Sequence, residues 1–354
     1  MTHAAQTHAE QAYAAQATAT FAGALPDDLI PHIAAHARAA ELELEERESA
    51  LIVTVPLAKV AMERGATDLR VRVDAVDAVS LQNIRDYLLH ILDHVAPGLG
   101  PSADWQGDVA RNRTPLNFAT ATVRGVRRVA PHFLRVEMAC ADTQRLDEGR
   151  GMHFSLLLPP EGRDPVWPRL DEAGRTIMPT GADQLHRAVY TFVDLDPVQG
   201  RFSFDIFEHE GGRATGWAQA AQPGQVVGIT GPGSGDFPPG KDLLIAGDET
   251  ALPAIRRILE HSAADRRGRI VLEVGTEADI CDMPRPAGMD LTWLVRDRGE
   301  ALWDVLATEP LPEGDDRYVW IAAEKDLVRK AKARFRDTLR IGPKDGYFAY
   351  YWEA

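Results

Sequence analysis

The sequence predicts a multidomain chain: a small α+β domain, then an antiparallel β-barrel, then an α/β domain built on a parallel sheet. Three observations carry this. Residues 243–259 read as a strand, a glycine turn and a helix. Six short strand candidates separated by turns fill about 110 residues ahead of them. The proline/glycine stretch at 96–103 separates both from an N-terminal run of helix, strands and helix.

Taken in order, residues 1–20 are rich in Ala, Gln, His and Thr, with no basic start and no apolar core. They read as a flexible leader and not as a signal peptide. From 25 to 40, Leu29, Ile30, Ile33 and Ala34 recur at helical spacing, with Asp27 or Asp28 as the cap. Residues 41–45 alternate Glu and Leu, and 51–55 and 69–73 are further strand candidates. Ser80 then opens a helix carrying Leu81, Ile84, Leu88, Leu89, Ile91 and Leu92. Helix, strands and helix over 21–97 make a small α+β domain of unknown role. Its pairs His32/His36 and His90/His94 each share a helical face. They suit either a chelated metal or surface histidines beside carboxylates such as Asp93; we expect no metal site.

A linker follows at 98–117, and the barrel is expected over 118–239. Its strand candidates are 119–126, 133–138, 153–158, 188–193, 202–207 and 225–230. Over 240–354 strands and helices alternate: strands at 243–246, 269–275, 291–295 and 318–322, helices at 251–262, 301–307 and 326–339. In the first of these units Leu243 to Ala246 suit a strand buried on both faces, and Gly247 breaks it. Asp248, Glu249 and Thr250 are turn and N-cap types, and Pro253 falls in the first helical turn. Such a unit offers backbone N–H groups to a pyrophosphate. An ordinary βα unit fits the same residues, since one glycine is not the G-x-G-x-x-G fingerprint.

The formal net charge of −14 argues against general binding to nucleic acid or anionic membranes. No run approaches the roughly 20 apolar residues that span a bilayer. Cys140 and Cys281 match no metal or redox spacing and read as two buried thiols in a reducing compartment. With no other address legible, a soluble cytoplasmic protein is expected. Residues 235–241 imitate a phosphate loop, but Asp242 replaces its Ser/Thr and two prolines remove amide donors. Ser155 and Ser234 lie in no nucleophile elbow.

Several blocks carry a resemblance. They are Asp205-Ile-Phe-Glu-His209, Gly212-Arg-Ala-Thr-Gly-Trp-Ala218, Pro223-Gly224, Gly231-Pro232 and Gly247-Asp-Glu-Thr-Ala-Leu-Pro-Ala-Ile255. To these add Leu170-Asp-Glu-Ala-Gly-Arg175 with Pro179, Tyr318-Val-Trp-Ile-Ala-Ala-Glu324 and Gly346-Tyr-Phe348. From about residue 118 onward the chain resembles the siderophore-interacting proteins, NAD(P)H-dependent ferric-siderophore reductases of the ferredoxin-reductase type. The N-terminal domain resembles a small uncharacterised domain that accompanies such reductases.

The resemblance implies FAD on the barrel and NADPH or NADH on the α/β domain. Tyr190 and Thr191 match the pair that sets a ring and a hydroxyl against the isoalloxazine. Tyr190 as a plain core aromatic stays open. The family's flanking arginines fall at Ala188 and Val193, and Arg187 is one place out of register. Either the strand is bulged or the flavin phosphates are held otherwise. His209, Gly211, Gly212, Ala214, Thr215 and Trp217 match a loop leading into a phosphate-cradling helix, with Arg213 in place of the usual proline. Gly247, Asp248, Glu249, Thr250 and Ala251, with Glu324, match the nucleotide site. Ala323 stands where glycine is usual and would narrow the nicotinamide slot; Arg296 and Arg298 suit either a 2′-phosphate or a solvated turn.

The implied activity passes electrons from NAD(P)H through FAD to Fe(III) in a siderophore, with no protein group in covalent catalysis and no iron ligand of the chain's own. Arg127, Arg128 and Lys325 suit either an anionic chelate or a solvated basic edge. Two other readings stay open: a non-catalytic ferric-chelate-binding or iron-responsive module, and a general flavin reductase with another acceptor. The siderophore, the pyridine nucleotide and the oligomeric state are not legible.

Overall fold

The computed structural model describes residues 13–23, 25–100, 103–148, 151–233 and 237–354. The chain divides into two compact units, one of residues 1–118 with 164–184, the other of 119–163 with 185–354.

The first unit is a six-stranded antiparallel sheet with two helices. In sheet order the strands are Glu43–Glu46, Ala50–Val55, Ala58–Arg64, Asp68–Ala75, Ala15–Ala22 and Ala103–Gly107. Residues 15–20, expected in the leader, therefore lie inside the sheet. Ala15, Ala17, Ala19 and Phe21 point inward and the residues between them outward, a period-two pattern whose alanines are too small to announce it. Ala103–Gly107 corrects the linker in the same way, because Trp105 is buried edge-on against Phe21 at 5.9 Å. Ala58–Arg64 was not foreseen. The helices are Leu29–Ala39 and Ala78–Val95. Asp28 stands at the first N-cap without a side-chain bond, whereas Asp77 caps the second by accepting from Ser80 N at 2.7 Å.

Residues 164–184, which the resemblance allots to the barrel, belong to this first unit. There a two-residue ladder pairs Arg169–Leu170 with Thr176–Ile177. The Ala78–Val95 helix meets its polar atoms. Thr176 donates from N (3.2 Å) and Oγ1 (2.5 Å) to Asp86, and the buried Arg85 donates to Ala173 O at 3.2 Å. The Arg85 guanidinium also lies over the Trp105 ring, 4.5 Å from its centroid.

In the second unit, seven strands form one antiparallel barrel-like sheet. Their order is His186–Thr191, His153–Leu158, Val226–Gly233, Phe118–Ala130, Phe133–Ala139, Arg201–Phe207 and Asp194–Asp196. The sheet curls on itself. Phe154, on the second strand, meets Phe204, on the sixth, at 5.2 Å, and Tyr190 on the edge strand meets Phe204 at 5.0 Å. Five parallel strands follow, in sheet order Gly288–Val295, Arg267–Val274, Asp242–Gly247, Arg317–Glu324 and Gly346–Trp352. In chain order this is 3-2-1-4-5, so the direction of winding reverses between Asp242–Gly247 and Arg317–Glu324. The last strand was not foreseen as a strand. The helices are Leu252–Glu260, Leu302–Leu306 and Lys325–Lys332, the last running on into a π-helix, Ala333–Thr338. Of the imitation phosphate loop, residues 235 and 236 lie outside the described residues, as does Ser234; the remainder leads into Asp242–Gly247. Cys140 is buried, but Cys281 is exposed, contrary to the expectation of two buried thiols. Among the described residues no helix is long and apolar enough to cross a membrane.

Candidate functional site

The edge strand His186–Thr191 pairs with His153–Leu158 in unbroken register, Tyr190 opposite Phe154 and Thr191 opposite His153. Without a bulge, alternation puts Arg187, Val189 and Thr191 on one face and His186, Ala188 and Tyr190 on the other. Arg187 therefore points away from Tyr190, and its Nε donates to Ser155 Oγ at 3.0 Å. Ala188 is half-buried and Val193 buried, so neither position brings a charge to the strand. Of the two alternatives left by the sequence, the bulge is excluded.

Tyr190 packs on Phe204 and Phe154, and burial raises its phenol pKa. Thr191 is buried with its Oγ1 3.1 Å from His153 Nδ1. His153 Nε2 lies in turn 3.1 Å from the Tyr351 hydroxyl. Burial pushes the His153 pKa down to about 4, so the ring is neutral. Sequence reasoning missed both His153 and Tyr351; nothing local marks a histidine and a tyrosine on distant strands as partners.

His209, Gly211, Gly212, Ala214, Thr215 and Trp217 gather at the start of the helix Arg213–Ala220. Gly212 is its N-cap, and among the described residues no N-cap side chain serves the first-turn amides. Gly211 has φ of +74°, and a Cβ on Gly212 would stand 2.8 Å from the His209 ring and 2.9 Å from Thr215 Oγ1. A cradle that a Cβ would fill, at a helix N-terminus, fits a phosphate. Ala214 and Thr215 are buried; Trp217 packs on the barrel core with its Nε1 lacking a protein partner. Burial, and after it the charge of Arg213, lower the His186 pKa.

The second cluster lies at the carboxyl ends of the parallel strands, at the reversal of winding. A Cβ on Gly247 would come within 2.7 Å of Ala251 Cβ and 2.8 Å of both Ala322 O and Ile255 Cδ1, so only glycine lets this turn close onto its neighbours. Asp248 is buried and fully engaged. Its Oδ1 accepts from Thr250 N (3.0 Å) and Oγ1 (2.6 Å), and its Oδ2 from Glu324 N (3.0 Å) and Trp352 Nε1 (2.8 Å). Glu249 is buried and paired with Arg296, which also donates to Glu273 at 2.7 Å. Glu324 caps the last helix by accepting from Asp326 N and Leu327 N. The turn and the cap fit a nucleotide through backbone amides, while the acidic side chains hold the frame.

Other candidates fall elsewhere. Arg298 pairs with Glu277, and Arg296 sits in the Glu249–Glu273 cluster. Ala323 is buried in the apolar cluster with Leu244, Val271 and Phe335, so its methyl narrows no slot. Arg127 pairs with Glu137, Arg128 with Glu208, and Lys325 with Glu353. In the first unit, the His32 and His36 rings stack at 5.4 Å, and His94 Nδ1 lies 2.7 Å from His90 O. Among the described residues no three His, Cys, Asp or Glu side chains converge as a metal site.

Comparison with known proteins accords with this geometry. Residues 240–354 match the Siderophore-interacting protein family, and residues 122–236 match the Siderophore-interacting FAD-binding domain. The NADPH-dependent ferric-chelate reductase of Escherichia coli (strain K12) is 30% identical over 254 residues, 69% of this chain and 96% of its own. Ferric vibriobactin reductase ViuB of Vibrio cholerae is 29% identical over 236 residues, 64% of this chain and 85% of its own. Among solved structures, a siderophore utilization protein from T. fusca superposes with a TM-score of 0.59 at 27% identity, over 69% of this chain and 95% of that one. The chain belongs to the siderophore-interacting protein family of FAD-dependent reductases.

Proposed function

We propose that this chain is an oxidoreductase that uses NAD(P)H and FAD to reduce Fe(III) held in a siderophore. One observation carries the reading. Two adjacent residues, Tyr351 and Trp352, bond to the flavin strand through His153 and to the nucleotide turn through Asp248. One strand end thereby lies beside both clusters, the adjacency that passing electrons from one cofactor to the other needs. The names of the Escherichia coli and Vibrio cholerae relatives support the same activity.

FAD, when bound, accepts a hydride and releases its electrons singly. The chain's part is binding and positioning. Tyr190 and Thr191 would hold the isoalloxazine, and His209, Gly211, Gly212, Ala214, Thr215 and Trp217 the phosphates, with Arg213 supplying the charge that Ala188 and Val193 lack. Arg187, turned to the Thr191 face, would border the flavin there. Gly247, Asp248, Glu249, Thr250, Ala251 and Glu324 would frame NADPH or NADH. Hard oxygen donors hold Fe(III) far better than Fe(II), so reduction frees the metal without breaking the chelator. A reductase drawing on NAD(P)H works in the cytoplasm, where that pool lies. A small-molecule chelate is the partner, and a charge of −14 argues against nucleic acid and anionic membranes.

The test is spectroscopic. The protein is purified with FAD, desalted, and its visible spectrum recorded before and after anaerobic NADPH and NADH. Flavin bands that bleach with one nucleotide and return with a ferric siderophore are the expected result. A protein that stays colourless after reconstitution would refute the reductase and leave a chelate-binding module in its place.

A further inference from the structure

Three side chains from three strands stand in a row in the second unit: Thr191, His153 and Tyr351. The links are 3.1 Å from Thr191 Oγ1 to His153 Nδ1 and 3.1 Å from His153 Nε2 to the Tyr351 hydroxyl. The row plays no part in the strand ladders, which pair through the backbone. His153 is only 5% exposed, and the Tyr351 ring stands edge-on to it at 5.5 Å and 90°. A neutral imidazole carries one N–H and one bare nitrogen. With a hydroxyl at each nitrogen, both tautomers are satisfied: Nδ1 accepts from Thr191 while Nε2 donates to Tyr351, or the reverse.

The reduction proposed above leaves one proton over. A hydride is two electrons and a proton, and each ferric ion takes one electron. One NAD(P)H and two Fe(III) therefore give NAD(P)⁺, two Fe(II) and one H⁺. That proton cannot follow the electrons to iron and must leave the flavin pocket. We infer that Thr191, His153 and Tyr351 are the relay that removes it, an inference resting on the reading that Thr191 meets the isoalloxazine. Thr191 Oγ1 takes the proton as its own passes to His153 Nδ1. The Nε2 proton passes to the Tyr351 oxygen, and Tyr351, only half-buried, gives up its own hydroxyl proton toward water. Hydroxyl rotation and tautomer exchange reset the row. Every bond broken is an O–H or N–H, every bond formed is its equivalent one place along, and no oxidant beyond Fe(III) is needed. His153 acts through Thr191, so it is a positioning residue.

The experiment uses the full chain loaded with FAD, with His153→Gln and Tyr351→Phe as variants. Glutamine still bridges two hydroxyls but has no second tautomer, so it separates relay from support. Stopped-flow absorbance follows bleaching by NADPH and then recovery on a ferric trihydroxamate. We expect FAD uptake and bleaching within about twofold of wild type in both variants, and recovery slower by at least about tenfold. Nitrogen-15 NMR of labelled histidine in the FAD-free chain gives a second readout: His153 averaged between neutral tautomers, and fixed in one by Tyr351→Phe. Recovery at the wild-type rate in His153→Gln overturns the relay. So does one fixed tautomer in both proteins, or loss of FAD from both variants, which would make the row a brace for the strand. A wild-type chain that takes up no FAD overturns the underlying flavin reading as well.

Discussion

Replacing Arg296 by methionine distinguishes a residue that frames the nucleotide turn from one that greets the nucleotide. Arg296 is the shared cation of Glu249 and Glu273, which are 3% and 8% exposed. Removing one partner of a buried pair costs about 3–5 kcal/mol, because the remaining charge stays desolvated. Here the arginine side chain is itself 42% exposed, so water reaches part of the cluster and the lower figure, about 3 kcal/mol, is the better expectation. For a unit of this size each kcal/mol moves Tm by about 2–4 °C, which gives a fall of about 6–12 °C for Arg296→Met. Adding Glu249→Gln removes one orphaned carboxylate and should restore roughly half of the loss. Thermal unfolding at pH 7.5, read by calorimetry, and titration with NADPH and NADH are the assays. An unchanged Tm with weakened binding of NADPH alone would refute the ion-pair reasoning and return Arg296 to the 2′-phosphate.

Gly247→Ala puts a methyl within 3 Å of three neighbours, one of them a backbone oxygen; overpacking of this kind costs about 1–3 kcal/mol. NADPH affinity should fall while FAD content holds, and a variant with unaltered titration would mean the turn is not at the nucleotide. Arg213→Ala should weaken FAD binding by up to about fivefold at low salt and less at high salt, measured by flavin fluorescence quenching. Unchanged affinity ends the idea that it replaces the missing strand arginines. His153 carries a stability prediction with a definite sign. Its pKa is about 4 in the fold against 6.5 unfolded, so between these values the unfolded chain binds the extra proton. Its contribution is whole above pH 6.5 and lost as pH falls toward 4, amounting to about 2 kcal/mol between pH 7 and pH 5. Denaturant titrations at the two pH values should show His153→Gln less acid-sensitive by that amount; equal slopes would refute it.

The parts of this protein legible in its sequence are those whose signal is local. Leu243 to Ala246, Gly247 and the apolar spacing from Leu252 to Leu259 lie in one stretch, and the strand, turn and helix follow from steric and hydrogen-bonding rules that act over a few residues. The barrel strands were legible for the same reason, each short run ending in a turn. Ala15–Ala22 was not, because alanine in the inward positions gives a strand pattern with little hydrophobic contrast. Residues 164–184 were allotted by resemblance to the barrel, yet Asp86, Arg85 and Gln82 of a distant helix supply the partners that its turn needs. Register was the other hidden quantity. One residue of offset decides whether Arg187 joins Tyr190 or Thr191, and the ladder opposite Phe154 and His153 settles it. The link from His153 to Tyr351 crosses 198 positions and joins two strands that pair in different sheets. No spacing rule reaches that far. Residues of one motif carry their signal in one stretch, but those that connect two clusters must come from separate elements, so they are the ones a single sequence conceals and a fold reveals.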